Sequence, residues 1–355
     1  MRRWASPKPC WRRRGRLYDA LPCVKGMDLI MSVIVKDVFE KEPKMMRETL
    51  CETLMALAEK DERIVALDAD LMSSSGLKPF FKKYPDRFFN CGVAEANMVG
   101  VAAGLSATGR VPFAHSFGTF ASRRVCDQLF MSAAYAKLNV RIIGTDPGVT
   151  AAYNGGTHMP LEDMAVLRAI PEITLLEPTD SVQLAALLTQ LANLYGVFYI
   201  RLMRKNAVSV FAPGSAFEIG KGVTLREGGD VTLIASGIMV AEALKAATLL
   251  SEQNISARVV NLFTWKPLDV ALVEMCARET SALVTCENHN IVGGLGGAVS
   301  EAVCATYPVA VERVGVKDEF GEVGPEDYLR ARFQLNDTDI AAAALRALSR
   351  KAGRS

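Results

Sequence analysis

From residue 44 onward the apolar positions switch repeatedly between a helical and a strand-like spacing. Over 44–60, Met46, Leu50, Leu54, Leu57 and Ala58 recur near the 3.6-residue period of an amphipathic helix. A short apolar run follows at 63–67 and ends in the polar loop 68–76, as a buried strand would. Residues 95–107 (EANMVGVAAGLSA) are small and apolar and predict a closely packed helix stopped by Gly109. Further strands are expected at 111–113, 140–143, 173–176 and 197–200, with helices over 123–136 and 181–195 between them. Residues 208–222 have neither period and contain Pro213 and Gly214, which places a linker there. A second alternation then runs through strands at 231–236, 258–261, 282–286 and 311–314, with helices at 240–252, 268–279 and 296–307. The pattern predicts an α/β chain of two consecutive domains, 44–207 and 223–350, each a mostly parallel sheet with helices on both faces.

The chain has 355 residues, half of them apolar, which is enough for two cores and excludes global disorder. Its formal net charge of +2 is unevenly spread. Residues 1–26 hold eight Arg or Lys against one acid, whereas the rest of the chain holds 33 bases against 38 acids. A mildly acidic body argues against a nucleic-acid surface. The segment 1–43 is read as a basic, disordered extension or an over-called start, with Met27 and Met31 as alternative initiators; an Arg-rich transit-like peptide and a segment that binds an anionic partner are the rivals. The longest apolar stretch, 182–200, is broken by Gln183, Thr189, Gln190 and Asn193 and does not read as a membrane span. Eight scattered cysteines, with no C-x-x-C, suit a reducing cytoplasm.

Candidate chemistry collects in loops that follow the predicted strands of the first domain, where open α/β sheets bind ligands. Glu95 opens an apolar helix. Taken alone, it is a carboxylate favoured by the helix dipole. Phe117 and Phe120 lie three apart in HSFGTF, a plain core pair by composition. His158 sits in the Gly-rich loop YNGGTH, and Arg204 follows the last strand of the domain.

Together these segments resemble the transketolase family. CGVAEAN running into GVAAGL resembles the signature of its pyrimidine-binding domain, and NGGTH followed by Glu162 and Asp163 resembles its G-x-T-H-Q…E stretch. The resemblance spans 44–348. It implies that Glu95 hydrogen-bonds a ring nitrogen of thiamine diphosphate, where a carboxyl that shares a proton promotes deprotonation of the thiazolium carbon. It implies that Phe117 and Phe120 pack on the aminopyrimidine ring, with Arg123 at a third ring position and Asp70 as a further cofactor contact. His158 would contact the reacting carbonyl oxygens of a ketose. Arg204 would bind its phosphate, with Arg47 and Ser74 at other sugar-phosphate positions. Asn154 stands where the family has Asp, and Met159 where it has Gln; an amide in place of an acceptor-only carboxylate should alter recognition of a sugar hydroxyl. His115 replaces a small polar residue, near the substrate or in a structural hydrogen bond. The turn GGLGG at 293–297 is read as structural rather than phosphate-binding.

The family holds Mg²⁺ and the diphosphate through a Gly-Asp-Gly motif in an N-terminal domain, and no Gly-Asp-Gly occurs here. The resemblance therefore implies one half of a split enzyme, active with a partner subunit that brings the diphosphate domain and its metal, as an α2β2 assembly transferring a two-carbon ketol unit between sugars. Rival expectations are a deoxyxylulose-phosphate-synthase-like enzyme, favoured by Arg123 and Asp146, a 2-oxoacid dehydrogenase β-subunit, and a catalytically silent scaffold.

Overall fold

The computed structural model describes residues 33–353. The basic run 1–26 and its expected disorder lie outside the described residues. Among the described residues, twelve strands form two sheets. The first contains β1 (Ile64–Asp68), β2 (Phe88–Asn90), β3 (Val111–Phe117), β4 (Val140–Thr145), β5 (Ile173–Leu176) and β6 (Val197–Leu202). The second contains β7 (Val223–Arg226), β8 (Val231–Ala235), β9 (Ala257–Asn261), β11 (Ala282–Asn290) and β12 (Ala310–Val316), while β10 (Thr264–Lys266) crosses over to the first.

The first sheet has the order β10-β5-β6-β4-β3-β1-β2, parallel except for β10, which runs antiparallel to β5. The second has the order β12-β11-β8-β9-β7, parallel except for β7. Every residue of β1, β4, β6, β8 and β9 is buried, as expected for strands covered on both faces. This is why those strands read as apolar runs rather than alternating ones. β2, β7 and β10 escaped the sequence reading because they are three or four residues long, and each lies at a sheet edge.

Two departures concern the joints between domains. Residues 33–43, grouped with the disordered extension on sequence grounds, are an ordered strap: Val35 bridges Phe211 and Lys41 bridges Val208, both antiparallel. The aperiodic linker is likewise pinned. Asp180 caps the helix Ser181–Asn193 by accepting from Gln183 N, and its other oxygen accepts from the backbone of Val210 and Phe211 at 2.9 and 2.8 Å.

The two domains share a buried ion network. Arg201 on β6 donates through Nε to Asp163 and through Nη1 to Glu177, and its Nη2 reaches the carbonyls of Pro160 and Asn288. Tyr199 donates to Asp163, and Ser236 of the second domain donates to Glu177. Each charge is thereby paired and hydrogen-bonded, the condition under which ions tolerate burial. The Gly-rich turn at 293–297 is satisfied internally: Glu287 accepts from the N–H groups of Leu295 and Gly296 at 2.7 and 3.0 Å. The N–H groups a phosphate would need are already taken by this carboxyl group, which favours the structural reading of the turn.

Candidate active site

The carboxyl ends of β1, β3, β4 and β6 open onto one edge of the first sheet. The loops that leave them carry the candidate residues. After β1, Asp70 adopts a left-handed backbone (φ 61°) and exchanges hydrogen bonds with Asn90, whose Oδ1 also accepts from Gly92 N at 2.9 Å. Asn90, which sequence reasoning missed, thus ties the loop carrying Asp70 to the one leading into Glu95.

Glu95 is the first residue of the helix Glu95–Ala107 and only 1% exposed. Its Oε1 accepts from Ser116 Oγ at 3.1 Å and its Oε2 from Arg124 Nη1 at 2.6 Å. The helix is built from small residues, and a side chain added at Gly100 or Gly104 would meet nothing within 4 Å. Phe117 ends β3, and its ring centroid lies 6.4 Å from that of Phe120. His158 meets both rings edge-on, at 6.0 and 5.2 Å. Its Nδ1 lies 2.9 Å from Thr157 Oγ1. The carboxylate, two phenyl rings and imidazole expected from sequence therefore lie close together.

The anion-binding candidates also converge. Arg204 pairs with Asp146 through Nε at 2.8 Å and lies with Cζ 5.3 Å from the Phe117 ring. Its carbonyl accepts from Arg47 N at 3.2 Å, and the Arg47 guanidinium reaches the carbonyls of Ser73 and Ser74. Asn154 donates to Asp146 at 3.4 Å. The loop carrying His158 is held by the second domain: a side chain added at Gly156 would fall 2.1 Å from the Gly321 carbonyl, so only glycine permits this approach.

Two assignments change. His115 is fully buried within the sheet, with Nδ1 3.6 Å from Asp68 Oδ2 and Nε2 3.2 Å from Thr145 Oγ1. These interior contacts favour the structural alternative for His115. Arg123 turns to Glu162, with Nε at 2.8 Å. The cation against the aromatic pair is its neighbour Arg124, whose Cζ lies 4.2 Å from the Phe120 centroid. The expected helix over 123–136 is in fact a 3₁₀ turn at Arg123–Val125, a short α segment at Cys126–Gln128 and a π-helix at Leu129–Tyr135. Consecutive arginines in that first turn diverge, and sequence spacing does not say which one faces Glu95.

A buried carboxylate near a phenyl face suits a flat heterocycle with an N–H edge for it to accept from, so the residues present fit an aminopyrimidine. Among the described residues no group of three or more His, Cys, Asp or Glu is placed to hold a metal ion. No helix is long and apolar enough to cross a membrane among the described residues.

Comparison with known proteins identifies both domains. Residues 42–209 match the transketolase pyrimidine-binding domain, and residues 220–340 match the transketolase C-terminal domain. The chain is 52% identical over 310 residues to the 6-deoxy-6-sulfo-D-fructose transketolase subunit of Clostridium sp. (strain MSTE9), covering 87% of this chain and 96% of that protein. It is 35% identical to a subunit of the apulose-4-phosphate transketolase of Phocaeicola vulgatus, over 84% of this chain and 96% of that one. A solved structure, a split-gene transketolase in an inactive β4 tetramer, superposes with a TM-score of 0.81 at 42% identity, covering 86% of this chain and 99% of the other. The chain belongs to the transketolase family and carries its pyrimidine-binding and C-terminal domains in that order.

Proposed function

We propose that this transketolase-family chain is the C-terminal subunit of a two-component, thiamine-diphosphate-dependent transketolase. In this reading it moves a two-carbon ketol unit from a ketose with an anionic end to an aldose. The observation that carries the reading is Glu95, a carboxylate buried to 1% exposure within hydrogen-bonding reach of Ser116 and beside the Phe117–Phe120–His158 cluster. When bound, thiamine diphosphate supplies the thiazolium carbon on which the ketol unit is carried. Glu95 holds and returns a proton at the ring nitrogen, and burial keeps water from competing for it. Phe117 and Phe120 offer the flat apolar platform for the ring. Asp70, tied to Asn90, fixes the loop beside the cofactor. His158 donates toward the reacting oxygen where negative charge develops.

Arg204, Arg47 and the Ser74 segment receive the anionic end of the sugar. Names of relatives point to two such ends, a sulfonate in the 6-deoxy-6-sulfo-D-fructose enzyme and a phosphate in the apulose-4-phosphate enzyme. The higher identity to the first makes a sulfonated ketose the second donor to test. A guanidinium pairs with either anion through the same N–H edge.

The partner is a chain bearing the diphosphate-binding domain and its Mg²⁺, giving an α2β2 assembly in the cytoplasm. The test is reconstitution. The purified chain with thiamine diphosphate, Mg²⁺ and ketose phosphate or ketose sulfonate should show no ketol transfer, and adding the partner should start it. Turnover by the isolated chain would overturn the split-enzyme reading.

A further inference from the structure

Arg124, like Asn90, is a residue of this site that no sequence pattern singled out. Its Nη1 lies 2.6 Å from Glu95 Oε2, its Cζ lies 4.2 Å from the centroid of the Phe120 ring, and its side chain is 45% exposed. A guanidinium is planar and delocalised, presents paired N–H groups along an edge, and stacks on aromatic faces. An aminopyrimidine shares the first and last of these properties and offers its own nitrogen-rich edge. Resting on the thiamine reading above, one carboxylate and one phenyl face are therefore claimed by two flat nitrogenous groups.

We propose that Arg124 is an internal stand-in for the aminopyrimidine ring: it occupies Glu95 and Phe120 in the unloaded chain and must swing out for the cofactor to seat. The arrangement has a physical rationale. A buried carboxylate with no counter-charge is costly, and a partnering cation lets Glu95 remain buried before the cofactor arrives. Arg124 is half exposed on the short 3₁₀ turn Arg123–Val125, so its guanidinium can exchange Glu95 for water without unpacking the core. Neighbouring Arg123 cannot act in the same way, because it is engaged with Glu162. Loading thus carries the cost of displacing an ion pair and a cation–π contact. The apparent affinity for the cofactor is reduced by the fraction of chains in which Arg124 is in place.

The test is equilibrium and stopped-flow binding of thiamine diphosphate to the full chain assembled with its diphosphate-domain partner, in the presence of Mg²⁺. Arg124→Ala should bind about tenfold more tightly than wild type, the scale of one half-exposed ion pair plus one cation–π contact, with the gain in the association rate. Arg124→Lys keeps the charge but not the flat fork and should fall between the two. Melting temperatures of the unloaded proteins check that each variant is folded. Wild-type binding that Arg124→Ala leaves unchanged or weakens would remove the stand-in role while leaving the cofactor reading intact. No saturable binding by either protein would remove the cofactor reading, and the stand-in role with it.

Discussion

The side-chain amide of Asn154 donates to Asp146 Oδ2 at 3.4 Å, and the same carboxylate is gripped by Arg204 Nε at 2.8 Å. The position that departs from the family pattern is thus coupled to the arginine proposed to receive the anionic end of the sugar. By sequence alone, Asn154→Asp restores the missing carboxylate and should raise activity on common ketose phosphates. The contact argues the reverse. A second carboxylate beside Asp146 would repel it and divide the attention of Arg204. The expected outcome in the assembled enzyme is a loss in kcat/KM of about tenfold, equivalent to about 1.4 kcal/mol, for anionic donors, mostly in KM. An increase across a panel of ketose phosphates would restore the sequence-based account.

Arg201 supports a different prediction. It is fully buried and answers two buried carboxylates, Asp163 and Glu177, in the network that joins the domains. Arg201→Met leaves both without their cation. Such a break costs on the order of 3–5 kcal/mol, to be read from urea unfolding midpoints. A loss below about 1 kcal/mol would mean that the carboxylates find other partners or protons at little cost.

Much of the fold was legible because fully covered parallel strands announce themselves as apolar runs: β1, β4 and β6 fall where the pattern placed them. Helix Glu95–Ala107 was equally plain from its small residues. What stayed hidden was non-local. The strap at 33–43 is ordered by bridges to residues 208 and 211, more than 160 positions away, and nothing local requires it. Within the site, Glu95, Phe117, Phe120 and His158 were recognisable as motif residues, and the chain brings them together. For His115 the sequence left a place near the site and a structural hydrogen bond both open, because burial is not written in a polar residue type. On β3 it pairs with Asp68 across the sheet and meets Thr145 in the interior. Arg124 was missed because which of two consecutive arginines meets Glu95 is set by the 3₁₀ turn Arg123–Val125 that carries both, and such turns leave no periodic trace.

Stability should depend on pH through Glu287 and His289, both fully buried beside the network. Burial pushes the Glu287 carboxyl from 4.5 up to about 8, against the opposing pull of the Gly296 and Leu295 N–H groups. A carboxyl raised in the folded state contributes stability below its unfolded value, and that contribution is lost as pH rises toward about 8. Burial also depresses His289 from 6.5 to about 4, so its contribution is present above 6.5 and is lost as pH falls toward about 4. Glu287→Gln keeps an acceptor for the turn and removes the titration. Its unfolding free energy should decline less than wild type between pH 5 and pH 8, over most of the window between 4.5 and about 8. Parallel curves for the two proteins would assign the alkaline loss to other groups.

The functional reading rests most heavily on Glu95. Two accounts of this residue make different predictions. As a helix-leading carboxylate it is stabilised by the dipole, by Ser116 and by Arg124. As the proton-holding group of the cofactor site it must both give and take a proton at the ring nitrogen. Glu95→Gln preserves the shape and the bond from Ser116 but cannot shuttle that proton. In the assembled enzyme, hydrogen–deuterium exchange at the thiazolium carbon should slow by about two orders of magnitude or more, the scale of lost acid–base catalysis, while cofactor affinity falls only modestly. A merely structural Glu95 would behave oppositely: the variant would lose about 1 kcal/mol of stability and exchange would proceed at the wild-type rate. Measuring melting temperature and exchange on one preparation separates the accounts. Unchanged exchange with a lowered melting temperature would withdraw Glu95 from the chemistry and the proposed function with it.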